Sequence, residues 1–198
     1  MDKPFLQACE NNKRPILEVL SRYLGDVSSL LEIGSGTGQH AVFFGEQLPH
    51  LRWQTSDLEE NHAGIRQWIE AAKLPNVLAP LVLDVTESHW SVGPVPAVFS
   101  SNTAHIMAWP VVQAFLRGVG RVLAPGGLFL LYGPFNYDGG YTSESNARFD
   151  EWLRQRDPAS AIRHFEDVDR ELRAAGLGLV EDVPMPANNR LLVWRASG

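Results

Sequence analysis

Apolar positions along the chain alternate between short runs and stripes at helical spacing. Ile16, Leu17, Val19, Leu20, Tyr23 and Leu24 recur at the helical period over 15–24, with Pro15 suited to the first turn. Ser28–Ile33 reads as a short buried strand, Gly34–Gly38 as a glycine turn, and 39–48 as a helix with Ala41, Phe44 and Leu48 on one face. The cycle then repeats. Leu51–Ser56 is strand-like, Ile65, Trp68, Ile69 and Ala72 mark a helix, and Val77–Leu83 is a strand made irregular by Pro80. Pro96–Ser101 is a fourth strand, and a helix opened by Pro110 carries Val112, Phe115, Leu116, Val119 and Leu123. Pro125-Gly126-Gly127 turns that helix into a fifth strand, Leu128–Tyr132. Residues 134–146, rich in glycine and polar side chains, read as a long loop. Phe149, Trp152 and Leu153 start a helix stopped by Pro158, and Phe165, Val168, Leu172 and Ala175 form another that ends at Gly176. Leu177–Val183 and Arg190–Arg195 close the chain as two strands without an intervening helix.

This order predicts an α/β fold: a doubly wound, mostly parallel sheet of seven strands with helices on both faces, and one antiparallel strand in a C-terminal hairpin. No repeat or linker interrupts it, so residues 1–198 read as one domain, with 28–198 as the core and 1–24 as a helical segment placed to cover a site. Ligands in such sheets bind beyond the carboxyl ends of the strands, near the switch in strand order.

Composition narrows the class. Among 198 residues, 44% are hydrophobic and 20% charged, which excludes disorder for the bulk of the chain. The single cysteine, Cys9, excludes a disulfide framework, and the six histidines show no paired ligand spacing, so no metal is expected. The net charge of −6, with arginines interleaved among acids, argues against a nucleic-acid groove. Met1–Phe5 does not begin a signal peptide, and the longest apolar run, near Leu128–Tyr132, is too short to span a bilayer. The expectation is a cytoplasmic protein with no membrane partner, monomeric or homodimeric.

The strongest chemical signal is Leu30-Leu31-Glu32-Ile33-Gly34-Ser35-Gly36-Thr37-Gly38. An apolar strand feeds a turn with glycine at every second position, which lets the backbone approach a ligand closely. The spacing is G-x-G-x-G rather than the G-x-G-x-x-G of dinucleotide sites. The acid at Glu32 suits a ligand bearing an ammonium or sulfonium better than one bearing phosphates.

Here the chain resembles class I S-adenosylmethionine-dependent methyltransferases. The likeness narrows over Glu10–Leu17 (ENNKRPIL), Ser35–Ala41 (SGTGQHA), Trp53–Asp57 (WQTSD), Ser101–Ile106 (SNTAHI), Leu131–Phe135 (LYGPF), Ser145–Asp150 and Met185–Asn189. These resemble the domain-of-unknown-function 938 family, the group that includes methyltransferase-like protein 26. Arg190 and Gly34 depart from its pattern, where an apolar residue and often alanine stand. The resemblance implies a Rossmann-like methyltransferase fold that binds S-adenosylmethionine through Glu32, Gly34, Ser35, Gly36, Thr37 and Gly38. It places Asp57 on the ribose hydroxyls, Asp84 and Val85 near the adenine, and Ser101 and Asn102 against the same cofactor. A carboxylate suits a vicinal diol because it accepts two hydrogen bonds.

Topology points to His105, His40 and Tyr132 as catalytic candidates facing a small-molecule methyl acceptor with an N, O or S nucleophile, and His105 is expected to orient that nucleophile and accept its proton near neutral pH. Phe135, Asn136, Tyr137 and Tyr141 are candidates for the same rim, since aromatic faces attract a sulfonium. Asn188 and Asn189 suit a turn or an acceptor contact. The chain has neither the Asn/Asp-Pro-Pro-Tyr/Phe tetrapeptide nor a Pro-Cys nucleophile, which speaks against methylation of DNA bases. A nicotinamide-dependent oxidoreductase and a non-catalytic partner protein of the same fold are the competing readings.

Overall fold

A computed structural model describes residues 3–198. The first two residues of the 1–24 segment, which also begin the stretch Met1–Phe5, lie outside the described residues. The elements run α1 (Gln7–Tyr23), β1 (Ser29–Glu32), α2 (Gln39–Gln47), β2 (Arg52–Asp57), α3 (His62–Ala72), β3 (Val77–Val82) and β4 (Val95–Ser101). They continue with α4 (Trp109–Val122), β5 (Leu123–Gly133), β6 (Phe135–Asn136), α5 (Glu144–Arg156), β7 (Arg163–His164), α6 (Phe165–Ala174), β8 (Leu177–Met185) and β9 (Asn189–Ala196). The main sheet has seven strands in the order β3-β2-β1-β4-β5-β9-β8. Strands β1 to β5 pair in parallel, and β9 runs antiparallel to both β5 and β8. This is the expected α/β architecture, with its one antiparallel strand in the closing hairpin.

The pleat explains why the central strands are apolar throughout: successive side chains feed opposite faces, and both faces are covered. Leu31, Val98, Phe129, Leu131, Leu192 and Trp194 pack with Phe115, Leu116 and Val119 of α4 and Val168 and Leu172 of α6. Leu30, Phe99, Leu130, Tyr132, Leu191 and Val193 face the other way, onto Ile16 and Leu20 of α1 and Phe44 of α2. That parity puts the Tyr132 ring on the α1 side of the sheet.

Three boundaries differ from the sequence reading, each for a local reason. Helix α1 begins at Gln7, so Pro15 lies inside it and not in its first turn. The polar stretch ahead of Pro15 hides the period, although its Asn12 is buried. Strand β5 starts at Leu123, and the Pro125-Gly126-Gly127 turn is a bulge within it. The register with β4 jumps there from Val95–Leu123 to Ala97–Leu128, with Gly126 at φ +74°. The 134–146 segment is not a free loop. Phe135 and Asn136 are buried and pair with Arg163 and His164, and α5 already begins at Glu144 behind its Ser143 cap. Among the described residues no helix is long and apolar enough to cross a membrane.

Candidate active site

A cavity of about 1110 Å³ opens beyond the carboxyl ends of β1, β2, β4 and β5. It sits where the strand order reverses between β1 and β4. Single-ligand pockets are commonly about 300–1,000 Å³, so this one has room for two small molecules side by side.

One end is built from the glycine turn. The Gly34 and Ser35 amides both donate to the Ser56 carbonyl, at 3.1 and 3.0 Å, which ties the exit of β1 to the end of β2. Gly36, at φ +58°, is exposed, and a Cβ there would meet nothing within 4 Å. Bare backbone therefore faces the cavity. Gly38 serves a different purpose. It does not line the cavity, and a Cβ on it would stand 3.0 Å from the Ile65 Cα, so it permits α2 and α3 to pack. At Gly34, φ is +73° and a Cβ would stand 2.6 Å from the Thr103 Cγ2, so alanine there requires Thr103 to shift.

Asp57 lies across this turn. Its Oδ2 accepts from the Gly36 amide at 2.7 Å; its Oδ1 accepts from the Leu58 amide and from Asn61 Nδ2, both at 2.8 Å. A carboxylate has about four acceptor positions, so Oδ2 keeps one for a ligand hydroxyl. Asp84 and Val85 line the same end. Asp84 Oδ1 accepts from the Thr86 amide and hydroxyl, and these bonds hold its carboxyl below the usual range. Ser101 and Asn102 line the cavity between the two ends. Asn102 sits at φ +59°, and Ser101 Oγ is buried without a partner.

Glu32 is placed differently from the expectation of direct ligand contact. It lies beneath the turn, outside the cavity lining, and accepts from Ser35 Oγ at 2.8 Å and Trp53 Nε1 at 3.0 Å. Burial pushes its carboxyl up to about 7, with the Asp57 charge adding in the same direction. Its place is to hold the turn from below. The chain ahead of α1 crosses above the same turn: Trp68 Nε1 donates to the Pro4 carbonyl, and the Leu6 amide donates to Gln39 Oε1.

The other end gathers His105, Tyr132 and His40, all buried. The His105 ring packs edge-on against Phe149 at 5.4 Å and makes no hydrogen bond among the described residues. Burial, then the Arg163 guanidinium, pushes it down to about 4. His40 Nε2 meets Asn12 Oδ1 at 2.7 Å, its ring stacks on Phe44, and burial pushes it to about 4 as well. The sequence-based expectation that His105 accepts a proton near neutral pH does not survive this environment. Both rings are neutral at pH 7 and weak as bases. The Asn12 and Asn189 side chains lie near the Tyr132 phenol, and burial raises its pKa.

The aromatic rim is not the expected one. Phe135, Tyr137 and Tyr141 stay out of the cavity lining: Tyr137 stacks on Phe165 and donates to Asp182, and Tyr141 donates to Asp150. Phe149 and Trp152 of α5 take that place, stacked on each other at 5.7 Å. Asn136 is buried away from the lining, and the half-buried Arg190, which donates to Asp182, is also outside it. Of the two asparagines expected to serve a turn or an acceptor contact, Asn189 lines the cavity and Asn188 does not; Asn12 and Asn146 line it without having been singled out. For Asn12 and Asn146 the signal was a polar residue on the apolar face of a helix. Among the described residues no three His, Cys, Asp or Glu side chains gather as a metal site.

Comparison with known proteins adds the following. The model of the DUF938 family, described as a protein of unknown function, matches residues 3–196. A malonyl-[acyl-carrier protein] O-methyltransferase of Alcanivorax borkumensis is 30% identical over 108 residues, which are 54% of this chain and 35% of that protein. An O-methyltransferase family protein from Burkholderia thailandensis superposes with a TM-score of 0.83 at 17% identity, over 94% of this chain and 56% of that one. Human N-acetylserotonin methyltransferase in complex with SAM superposes with a TM-score of 0.80 at 14% identity, over 96% and 53%. The fold is therefore the class I methyltransferase fold. The chain spans about a third of the curated relative and about half of these structural neighbours.

Proposed function

The chain belongs to the DUF938 family, and from that premise we propose that it is an S-adenosylmethionine-dependent methyltransferase acting on the N, O or S nucleophile of a small molecule. One observation carries this reading. A single cavity joins a bare glycine turn with a carboxylate beside it to a second end holding a neutral, unpartnered histidine. The residues present fit an adenosyl group: Gly36 leaves the space a Cβ would fill, Asp57 keeps a free acceptor position, and Ser101 Oγ is a buried polar atom without a partner. When bound there, S-adenosylmethionine supplies an activated methyl group on a sulfonium.

The rest is the work of the chain. Asp57 and the Gly36 backbone hold the ribose, and Asp84 with Val85 closes on the base. Gly34–Thr37, with Asn102 opposite, line the passage that leads to the acceptor end. His105, held by Phe149, aligns the nucleophile through a hydrogen bond at one ring nitrogen. Alignment of this kind lowers the barrier of an in-line displacement without any net proton transfer to the ring. A proton released by the acceptor passes to solvent, because a ring pushed down to about 4 does not retain it at neutral pH. Among the described lining residues there is no lysine or arginine, which favours a small molecule over a nucleic acid.

Isothermal titration with S-adenosylhomocysteine, beside NADH, tests the reading. Binding of S-adenosylhomocysteine without NADH is the expected result. Tight binding of NADH alone would overturn it.

A further inference from the structure

We propose that the acceptor end of the cavity selects an uncharged molecule, an apolar or aromatic body carrying a neutral hydroxyl, thiol or N–H nucleophile, and rejects carboxylates, phosphates and ammonium ions. The proposal rests on the methyl-transfer reading and adds the chemistry of the acceptor.

Charge in the cavity is confined to one end. Among the described lining residues the ionised side chains are Asp57 and Asp84, both at the glycine-turn end. The acceptor end is walled by His105, Ile106, Met107, Phe149, Trp152 and Leu153, with Tyr132, His40, Ser145 and the asparagines 12, 146 and 189 among its polar groups. Two guanidiniums stand behind its wall, Arg163 and Arg156, the latter 4.6 Å from the Trp152 ring centroid, and neither lines the cavity. Arg163 donates to the carbonyls of Ala104, Met107 and Ala159, and it is not in the lining. The buried Asp150 behind the wall is likewise satisfied, by the Ile162 amide, Tyr141 and Arg154. A charged acceptor would give up its water and meet no partner of opposite sign, which is costly.

The polar groups that remain offer neutral hydrogen bonds. Both amide hydrogens of Asn146 are engaged, by Thr142 Oγ1 at 2.9 Å and the Asn188 carbonyl at 3.1 Å, so its carbonyl oxygen is the group left to the cavity. The His105 ring is 6% exposed, neutral and unpartnered, and offers one donor and one acceptor. Together they match a hydroxyl or N–H, which both gives and takes a hydrogen bond. A carboxylate can only accept, and it would face the Asn146 oxygen. Phe149 and Trp152, stacked with 18° between their planes, offer a flat apolar wall for the body of the molecule.

The test uses the full chain saturated with S-adenosylhomocysteine, so that no sulfonium charge biases the series. Matched triads on one-, two- and three-ring bodies are titrated by ligand-observed NMR at pH 7: a phenol, the corresponding benzoate and the corresponding benzylammonium. The neutral member of at least one triad should bind roughly ten- to a hundredfold more tightly than its charged partners. Ile106→Lys places a cation at the exposed lip of this end and should narrow the gap to the benzoate by about tenfold. Equal or tighter binding of a benzoate or benzylammonium, or binding of no neutral member at all, overturns the proposal. Failure of S-adenosylhomocysteine to bind is a separate result, and it removes the methyl-transfer reading itself.

Discussion

Asp57→Ala separates the two duties of one carboxylate. In the free protein Asp57 accepts from the Gly36 amide, the Leu58 amide and Asn61 Nδ2. Gly36, Leu58 and Asn61 are exposed, so water replaces much of what alanine removes, and the loss of stability should be about 1–2 kcal/mol. For a chain of this size that lowers the melting temperature by about 2–8 °C. The ligand loses more. A ribose hydroxyl loses its acceptor, and the turn loses its fixed geometry, so affinity for S-adenosylhomocysteine should fall about ten- to a hundredfold. Differential scanning fluorimetry reads both effects. At a ligand concentration about 100 times the wild-type Kd, the wild type gains about 2.7 kcal/mol, or about 5–10 °C. A variant binding a hundredfold more weakly gains about 0.4 kcal/mol, or about 1–2 °C, at the same concentration. Asp57→Asn keeps the shape but turns an amide towards the Gly36 N–H or the ligand, and should lose affinity similarly. A full ligand-dependent rise in either variant would refute the assignment of Asp57 to the ribose.

Gly36→Ala and Gly38→Ala should fail in opposite ways. The first puts a methyl into open cavity and should abolish S-adenosylhomocysteine binding at a stability cost of about 1 kcal/mol, whereas the second presses on the Ile65 backbone and should mainly lower the melting temperature. For Glu32, raised from 4.5 to about 7, the folded chain holds the proton more tightly than the unfolded chain, so its stabilising contribution is full below about 4.5 and is lost as pH rises towards 7. Glu32→Gln should therefore remove a decline in melting temperature between those values, and identical pH profiles for variant and wild type would count against it. His105, lowered from 6.5 to about 4, works with the opposite sign: its contribution is present above 6.5 and is lost as pH falls towards 4. His105→Gln should flatten that acid limb and lower turnover while leaving S-adenosylhomocysteine affinity nearly unchanged; a parallel loss of affinity would place the ring at the wrong end of the cavity.

The sheet was legible because parallel strands covered on both faces are apolar at every position, and Leu30-Leu31 or Phe129–Leu131 carry that signature without context. The glycine turn was legible because positive φ at Gly34, Gly36 and Gly38 has few other solutions. Direct contact by Glu32 was misjudged, since nothing in Glu-Ile-Gly says that the carboxylate points down to Trp53 and not up to a ligand. Topology leads both histidines to the cavity lining, yet their protonation was not legible, because burial is a property of the packed chain. The start of α1 and the lining by Asn12 and Asn146 escaped for a related reason. A buried amide in a helix looks like surface until the partners from other elements, His40 and Asn188, are known.

Strand β9 has a consequence for how the molecule is made. It lies between β5 and β8, with Leu191, Leu192, Val193 and Trp194 fully buried, yet it follows both of them in the chain. Until it emerges from the ribosome, β5 presents an open apolar edge and β8 has no neighbour to pair with. Such an edge invites association with other chains. The sheet is therefore closed from the middle by its latest arrival. A stop codon before Asn189 should give an aggregating product and not a trimmed enzyme, even though the glycine turn and Asp57 were synthesised far upstream.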